Sequence, residues 1–317
     1  MSAPLLELDR VVRRFDTPGG TVRALDGVSL QVRRGETLGL VGESGCGKST
    51  VARVALRLLG VQQGRVLFGG EDVTGRAGAA LHDVRARLQM VFQDPYASLN
   101  PRVTVGRALE EPLLVHRRAG PAERREQAAW ALERVGLRAD MAGRYPHEFS
   151  GGQRQRIGIA RALMLRPELI VCDEAVSALD LSVRAQVINL LLDLQREFGV
   201  SYLFISHDLS VVRHVSDRVA VMYLGQVVES GGRDALWHRP LHPYTRALIA
   251  AAPVARPSAR GQRPPRALLA GDPPSPLDPP AGCRFHPRCP QAGERCRQEA
   301  PALREAGGGQ WVACHFA

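Results

Sequence analysis

Gly42-Glu43-Ser44-Gly45-Cys46-Gly47-Lys48-Ser49 decides how this chain of 317 residues is read. The octapeptide fits G-x-x-x-x-G-K-[ST], a loop whose backbone N–H groups cradle phosphate oxygens. Its surroundings agree. The apolar run Glu36-Thr37-Leu38-Gly39-Leu40-Val41 leads in as a strand, and Ser49-Thr50-Val51-Ala52-Arg53-Val54-Ala55-Leu56 follows as a helix. The positive end of that helix completes an anion site. Lys48 is the one lysine among 42 lysines and arginines. A guanidinium is a planar fork, whereas an ammonium is a compact charge that fits inside a phosphate loop. Lys48 is therefore read as a working residue that reaches the β- and γ-phosphates, with the Ser49 hydroxyl on Mg²⁺. Cys46 falls at a free position of the pattern and is assigned no redox role.

Outward from this loop the chain alternates. Further apolar strands are read at Leu88–Phe92, Leu169–Asp173 and Ser201–Ile205, with helical patterns between them, as from Ala185 to Glu197. That alternation predicts a mostly parallel sheet covered by helices. The stretch from about Thr104 to Leu165 is rich in Ala, Leu, Arg and Glu and reads as a helical insertion. A proline-rich connector spans 253–282, and residues 283–317 carry four of the six cysteines. The expected organisation is thus a main domain at 1–252, with its helical subdomain at about 104–165, then a connector and a small cysteine-rich extension.

Hydrophobic residues make up 44% and charged residues 23%, as in a globular protein. No apolar run approaches the ~20 residues that span a bilayer, and the first residues do not read as a secretory signal, so a cytoplasmic location is expected. The net charge of +10 raises the question of nucleic acid. The arginines are spread along the chain, and only 5% of residues are aromatic, too few for a base-stacking surface. No nucleic-acid partner is expected. Attraction to an anionic membrane surface is an equally available use of the charge.

Asp173-Glu174 ends an apolar strand. Asp173 suits Mg²⁺, and Glu174 suits a general base that polarises attacking water. Phe149-Ser150-Gly151-Gly152-Gln153-Arg154-Gln155-Arg156 puts a hydroxyl and two glycines at a helix start, a second anion site. This segment resembles the signature motif of ABC-transporter ATPases. In that family it reaches across a dimer to complete the partner's ATP site, which implies trans contacts from Ser150, Gly151, Gly152 and Gln153. The rest of the series follows in order. Gln93 matches the glutamine loop that touches Mg²⁺ and water, Ser177-Ala178-Leu179-Asp180 the D-loop at the dimer seam, and His207 the switch histidine. Phe15 is assigned to adenine stacking, with Val22 sharing the contact. The resemblance covers roughly residues 4–250. It implies an α/β fold: a P-loop, RecA-like ABC ATPase core with a helical subdomain and a small cysteine-rich, metal-binding C-terminal extension. Glu174 and His207 are then catalytic, and Ser49, Gln93 and Asp173 hold Mg²⁺.

Three segments are similar to the ATPases of peptide importers: Val91–Arg102, Cys172–Asp180 and Leu241–Leu248. His242-Pro243-Tyr244-Thr245 also reads plainly as a helix start, with proline at an early position. Of the two ATPase subunits that such importers pair, this chain resembles the "F" type. The resemblance implies a second ATPase subunit in a heterodimer, two transmembrane permease subunits docked near Gln93 to Tyr96, an extracytoplasmic solute-binding protein, and work at the inner face of the cytoplasmic membrane. Nickel or glutathione in place of peptide is an alternative cargo. A non-transport ABC ATPase acting on nucleic acid is a rival that the single motif set disfavours.

The tail reads Cys283-x5-Cys289-x6-Cys296-x17-Cys314. A reducing compartment argues against disulfides. Proline, aromatic and histidine content suggests a module too small to fold without a staple. Thiolate ligation would supply one, and spacing alone leaves metal and no metal both open. The resemblance implies a [4Fe–4S] cluster on these four cysteines. Zn²⁺ is the alternative, with His286 or His315 replacing a thiolate.

Overall fold

In the computed structural model the described residues are 3–94, 98–252 and 271–317. Two strands, β1 (Leu6–Thr17) and β2 (Gly20–Val32), form a long antiparallel hairpin. β3 (Thr37–Val41) then enters the phosphate loop, and α1 (Lys48–Ala55) leaves it. β4 (Gln63–Phe68) and β5 (Glu71–Asp72) return to the first hairpin, making a four-stranded sheet in the order β2-β1-β4-β5. α2 (Gly78–Arg87) leads to β6 (Leu88–Val91). Residues 104–165 hold α3 (Val105–Val115), α4 (Pro121–Arg134), two short 3₁₀ turns and α5 (Gly151–Leu163).

The chain then runs through β7 (Leu169–Asp173), α6 (Leu181–Phe198), β8 (Ser201–Ile205), α7 (Leu209–Val215), β9 (Arg218–Tyr223) and β10 (Gln226–Gly232). α8 (Arg233–His238) and α9 (Pro243–Ala251) follow. The tail holds α10 (Glu294–Gln298), β11 (Arg304–Gly307) and β12 (Gln310–Val312). The large sheet has the order β11-β12-β10-β9-β3-β8-β7-β6. Its five strands from β9 to β6 are parallel, in line with the alternation read from sequence.

Sequence accounts for these elements locally. Every residue of β3, β7 and β8 is buried, the pattern of strands covered on both faces. α6 buries Val187, Ile188, Leu191 and Leu194, one apolar stripe at helical spacing, and stops at Gly199, where φ is +66°. His242 caps α9, with Pro243 in its first turn. The long β1–β2 hairpin was not anticipated, although Leu6 and Leu8 alternate with polar neighbours and are buried.

The C-terminal extension, read from sequence as a module too small to fold without a staple, packs on the main domain. Its strand β12 pairs with β10, opposing Glu229 to Val312, so the tail lengthens the main sheet. Phe285 is 1% exposed and packs among Tyr223, Tyr244 and His242 of the main domain. The tail borrows a core instead of building one, so the physical reason for requiring a staple falls away. Of the proline-rich connector, residues 253–270 lie outside the described residues. Pro276, beyond them, accepts a hydrogen bond from the Arg23 N–H at 3.3 Å, beside the β1–β2 hairpin.

Candidate active site

The parallel strands bring the candidate residues together. β3, β8, β7 and β6 are neighbours in that order and point the same way. Their carboxyl ends therefore deliver the phosphate loop, His207, Asp173-Glu174 and Gln93 to one edge, where open α/β sheets bind ligands.

Gly47 caps α1 with φ of +109°, and a Cβ there would lie 2.4 Å from the Ala24 carbonyl oxygen. Only glycine fits both conditions. The Lys48 side chain is buried, and its Nζ donates to the carbonyls of Gly42 at 2.7 Å and Glu43 at 2.8 Å. The ammonium is thus held inside the loop on acceptors that phosphate oxygens can replace. Ser49 Oγ donates to Asp173 Oδ1 at 3.2 Å, so the two Mg²⁺ candidates touch. Burial pushes the Asp173 carboxyl up, against the opposing hydrogen bond from Ser49. A hard cation would relieve that penalty, and the oxygen donors suit Mg²⁺. Burial likewise raises the Cys46 thiol, in keeping with no redox role. Ser44 and Gly45 are exposed at the loop crest, and Thr50 is half-buried on α1.

Glu174 sits between the other two. Gln93 Nε2 donates to Glu174 Oε2 at 3.1 Å, and His207 Nδ1 lies 3.3 Å from Glu174 Oε1. Its backbone has φ of +50°, an unusual conformation for a non-glycine residue. The surroundings fix it there. Its N–H donates to the Ile205 carbonyl at 3.0 Å, and its own carbonyl accepts from Ser177 Oγ at 2.9 Å. Strain so held is a mark of functional geometry. The carboxylate is turned toward the strand-end edge that also carries Gln93 and His207.

Phe15 and Val22 are register partners across the hairpin, which puts both side chains on one face. The Arg13 guanidinium lies over the Phe15 ring, 4.8 Å from its centroid. Ser150 caps α5: its Oγ accepts from the Gln153 N–H at 3.3 Å, and its N–H donates to Gln153 Oε1 at 3.0 Å. The two signature glycines differ. A Cβ on Gly152 would lie 2.3 Å from Val183 Cγ1 in α6, whereas a Cβ on Gly151 would meet nothing within 4 Å. Asp180 precedes α6, exposed, and the next residue, Leu181, is 81% exposed. A groove of about 350 Å³ lies between α3, α5 and β6, lined by Met90, Phe92, Ser98, Glu111, Gln155 and Arg161 among others. Pro95, Tyr96 and Ala97 lie outside the described residues.

A model of the ABC transporter family matches residues 25–177, and one of the oligopeptide/dipeptide transporter C-terminal region matches 228–296. The oligopeptide transport ATP-binding protein AppF of Bacillus subtilis is 55% identical over 303 residues, which cover 95% of this chain and 92% of that protein. The chain belongs to the ABC transporter ATPases. Within them its relatives include OppF of Salmonella typhimurium, an oligopeptide transport ATP-binding protein, 52% identical over 91% of this chain and 86% of that protein. DppF of Haemophilus influenzae, a dipeptide transport ATP-binding protein, is 51% identical over 92% and 89%. These bear out the F-type assignment. Among solved structures, the ATP-binding cassette MJ0796, a dimer in a post-hydrolysis state with ADP and Pi, superposes with a TM-score of 0.66 at 29% identity. It covers 72% of this chain and 98% of that one. ATP and Mg²⁺ are the expected ligands of such an ATPase.

The metal expectation for the tail is not supported. Among the described residues no three His, Cys, Asp or Glu side chains are gathered to hold a metal ion. A tetrahedral zinc site would need thiolates about 3.8 Å apart. Cys283, Cys289, Cys296 and Cys314 are all unbonded thiols. Burial, and then the charges of Cys296, Cys289 and Cys314, push the Cys283 thiol up. The imidazole Nδ1 of His286 instead meets the Cys283 carbonyl, and Nε2 of His315 meets the Glu299 carbonyl. No helix among the described residues is long and apolar enough to cross a membrane.

Sequence reading missed Arg288, whose guanidinium forms a two-pronged pair with Glu43 in the phosphate loop. Among so many arginines nothing local distinguished it. The bridge from Arg184 to Asp208, at 2.9 Å, was missed for the same reason; it ties the helix after Asp180 to the residue after His207.

Proposed function

We propose that this chain is the F-type ATP-hydrolysing subunit that powers peptide import by an ABC transporter, working peripherally at the inner face of the cytoplasmic membrane. The single observation that carries the chemistry is Glu174, held between Gln93 and His207 beside Ser49 and Asp173. The peptide cargo rests on the relatives' names and on the C-terminal region match.

In this reading the N–H groups of the loop from Gly42 to Thr50 and the Lys48 ammonium bind the β- and γ-phosphates. Phe15, with Val22, takes the adenine face once Arg13 swings aside. Ser49, Asp173 and Gln93 would hold Mg²⁺, which would supply charge screening for the phosphates. Glu174 orients and polarises the attacking water, and His207 senses the γ-phosphate from the other side. Chemistry of this kind is largely positioning plus charge stabilisation.

The second half of each site comes from a partner ATPase, in a heterodimer. Gly151 supports completion in trans, because among the described residues no neighbour in its own chain requires a glycine there. Ser150, Gly151, Gly152 and Gln153 then approach the partner's ATP, and Asp180 and Leu181 lie at the seam. Two permease subunits dock in the groove beside Gln93, so closing the dimer moves them. A solute-binding protein delivers cargo outside.

Glu174→Gln tests the assignment. It should bind MgATP at undiminished affinity and accumulate as an ATP-loaded dimer, with turnover at least about a hundredfold down. Turnover near wild type would remove Glu174 from its role.

The finer reading of the tail is a [4Fe–4S] cluster on Cys283, Cys289, Cys296 and Cys314. It rests on the four free cysteines that this short tail carries. A cubane spreads its thiolates wider than a single ion does. Anaerobic purification should yield about four irons and four sulfides per chain, lost in Cys283→Ser. Absence of both would leave the tail a metal-free module.

A further inference from the structure

We propose that the C-terminal extension is a working part of the nucleotide site, in which Arg288 and Tyr244 brace Glu43 and so set the affinity for MgATP. This deepens the ATP-site reading above and rests on it.

Glu43 is the second residue of the phosphate loop, and it is gripped on three sides. Its backbone carbonyl accepts from Lys48 Nζ at 2.8 Å. Its backbone N–H donates to the Tyr244 hydroxyl at 2.9 Å. Its carboxylate takes both prongs of Arg288, Nη1 to Oε2 at 2.8 Å and Nη2 to Oε1 at 3.0 Å. A parallel pair of this kind fixes orientation as well as distance. The Arg288 side chain is 6% exposed and that of Glu43 is 24% exposed, so the pair is shielded from salt.

Neither brace is local. Arg288 is 245 positions from Glu43 in the chain, and Tyr244 is 201 away. Both stand on one aromatic cluster. Tyr223, Tyr244 and Phe285 pack with ring centroids 4.7 to 5.4 Å apart, and His242 closes on Phe285. Arg288 Nη1 also reaches the Tyr223 hydroxyl at 3.4 Å. Four residues back, Arg284 is bound to Asp26 and to the Leu224 carbonyl, which pins the same tail segment to the β1–β2 hairpin side of the site.

The loop therefore cannot change shape alone. In the structure Lys48 rests on the carbonyls of Gly42 and Glu43. When phosphates arrive, the ammonium must turn to them while those carbonyls stay put. Arg288 and Tyr244 hold Glu43 in the phosphate-ready position, so less ordering remains at the moment of binding. They are positioning residues: neither needs to touch ATP. The fixed turn that carries Arg288, His286–Arg288, lies between Cys283 and Cys289.

The test is MgATP binding by calorimetry and ATPase kinetics on the full chain. Arg288→Ala should raise the Kd about tenfold, as should Glu43→Gln. For Arg288→Ala, saturated turnover should stay within about twofold, a KM effect without a kcat effect. Arg288→Lys should recover part of the loss, because an ammonium supplies the charge without the fork. The Arg288→Ala/Glu43→Gln double variant should be no worse than either single one. Glu43→Gln leaves the tail intact and so covers the case in which Arg288→Ala does not fold. A Kd unchanged in folded Arg288→Ala and in Glu43→Gln, or losses that simply add in the double variant, would overturn the brace. Lys48→Ala separates the two readings. If wild type and Lys48→Ala bind MgATP alike, the ATP site itself is misassigned; if Lys48→Ala alone loses binding, only the brace fails.

Discussion

His242 shows how a single residue converts burial into a pH dependence. It is 1% exposed, and its Nδ1 accepts the Tyr244 N–H at 3.0 Å, so the ring caps α9 in its neutral form. Burial pushes its pKa down to about 4, against 6.5 for an ordinary histidine. Between those two values the unfolded chain binds a proton that the folded chain refuses. Stability from this group is therefore complete above about pH 6.5 and is lost as pH falls toward about 4, up to about 3 kcal/mol. Glu229 works the other way: burial raises its carboxyl, which accepts N–H bonds from Leu241 and His242. Its protonation partly offsets the loss in acid. His242→Asn keeps a capping acceptor without a titrating ring. Thermal denaturation at about pH 7 and about pH 5 should show a smaller drop for the variant than for wild type; equal drops would assign the acid limb elsewhere.

At the scale of elements, the signature turn joins two demands that sequence alone could not separate. Gly152 is small because α5 packs on Val183 of α6, whereas among the described residues nothing lies beside Gly151. Gly152→Ala should cost about 1–3 kcal/mol in a urea unfolding experiment, the price of overpacking a helix contact. If the site is completed in trans as proposed, Gly151→Ala should unfold like wild type and yet lose ATPase activity, because its methyl group would stand between the helix start and the partner's nucleotide. An active Gly151→Ala enzyme would argue against completion in trans. The elements that were legible beforehand, β3, β7 and β8, are uninterrupted apolar runs next to motifs of fixed spacing. β12 was not. It has three residues, follows a run of three glycines, and owes its pairing to β10, some eighty positions earlier. Short strands with distant partners leave no periodic trace, and the nearby cysteines invited a local explanation instead. The Arg288–Glu43 pair is hidden for the same reason: contact at such separation is a property of the fold, not of any window of sequence.

On the scale of the whole molecule, the site is built at a junction of distant parts. In the proposed reading the main sheet supplies the catalytic edge, the β1–β2 hairpin the adenine face, and the tail a support under the phosphate loop. The sequence order of the motifs made the edge readable, because each lies at the end of its own strand. Lys48 carries a further consequence. It is the only side-chain primary amine in 317 residues, it is 6% exposed, and its nitrogen is engaged by two carbonyls. Acylating reagents that decorate ordinary proteins at many lysines find here a single side-chain amine, sheltered in the nucleotide pocket. Labelling of that one amine is accordingly a direct reporter of whether the pocket is open, and the arginine-rich exterior stays silent in the same assay.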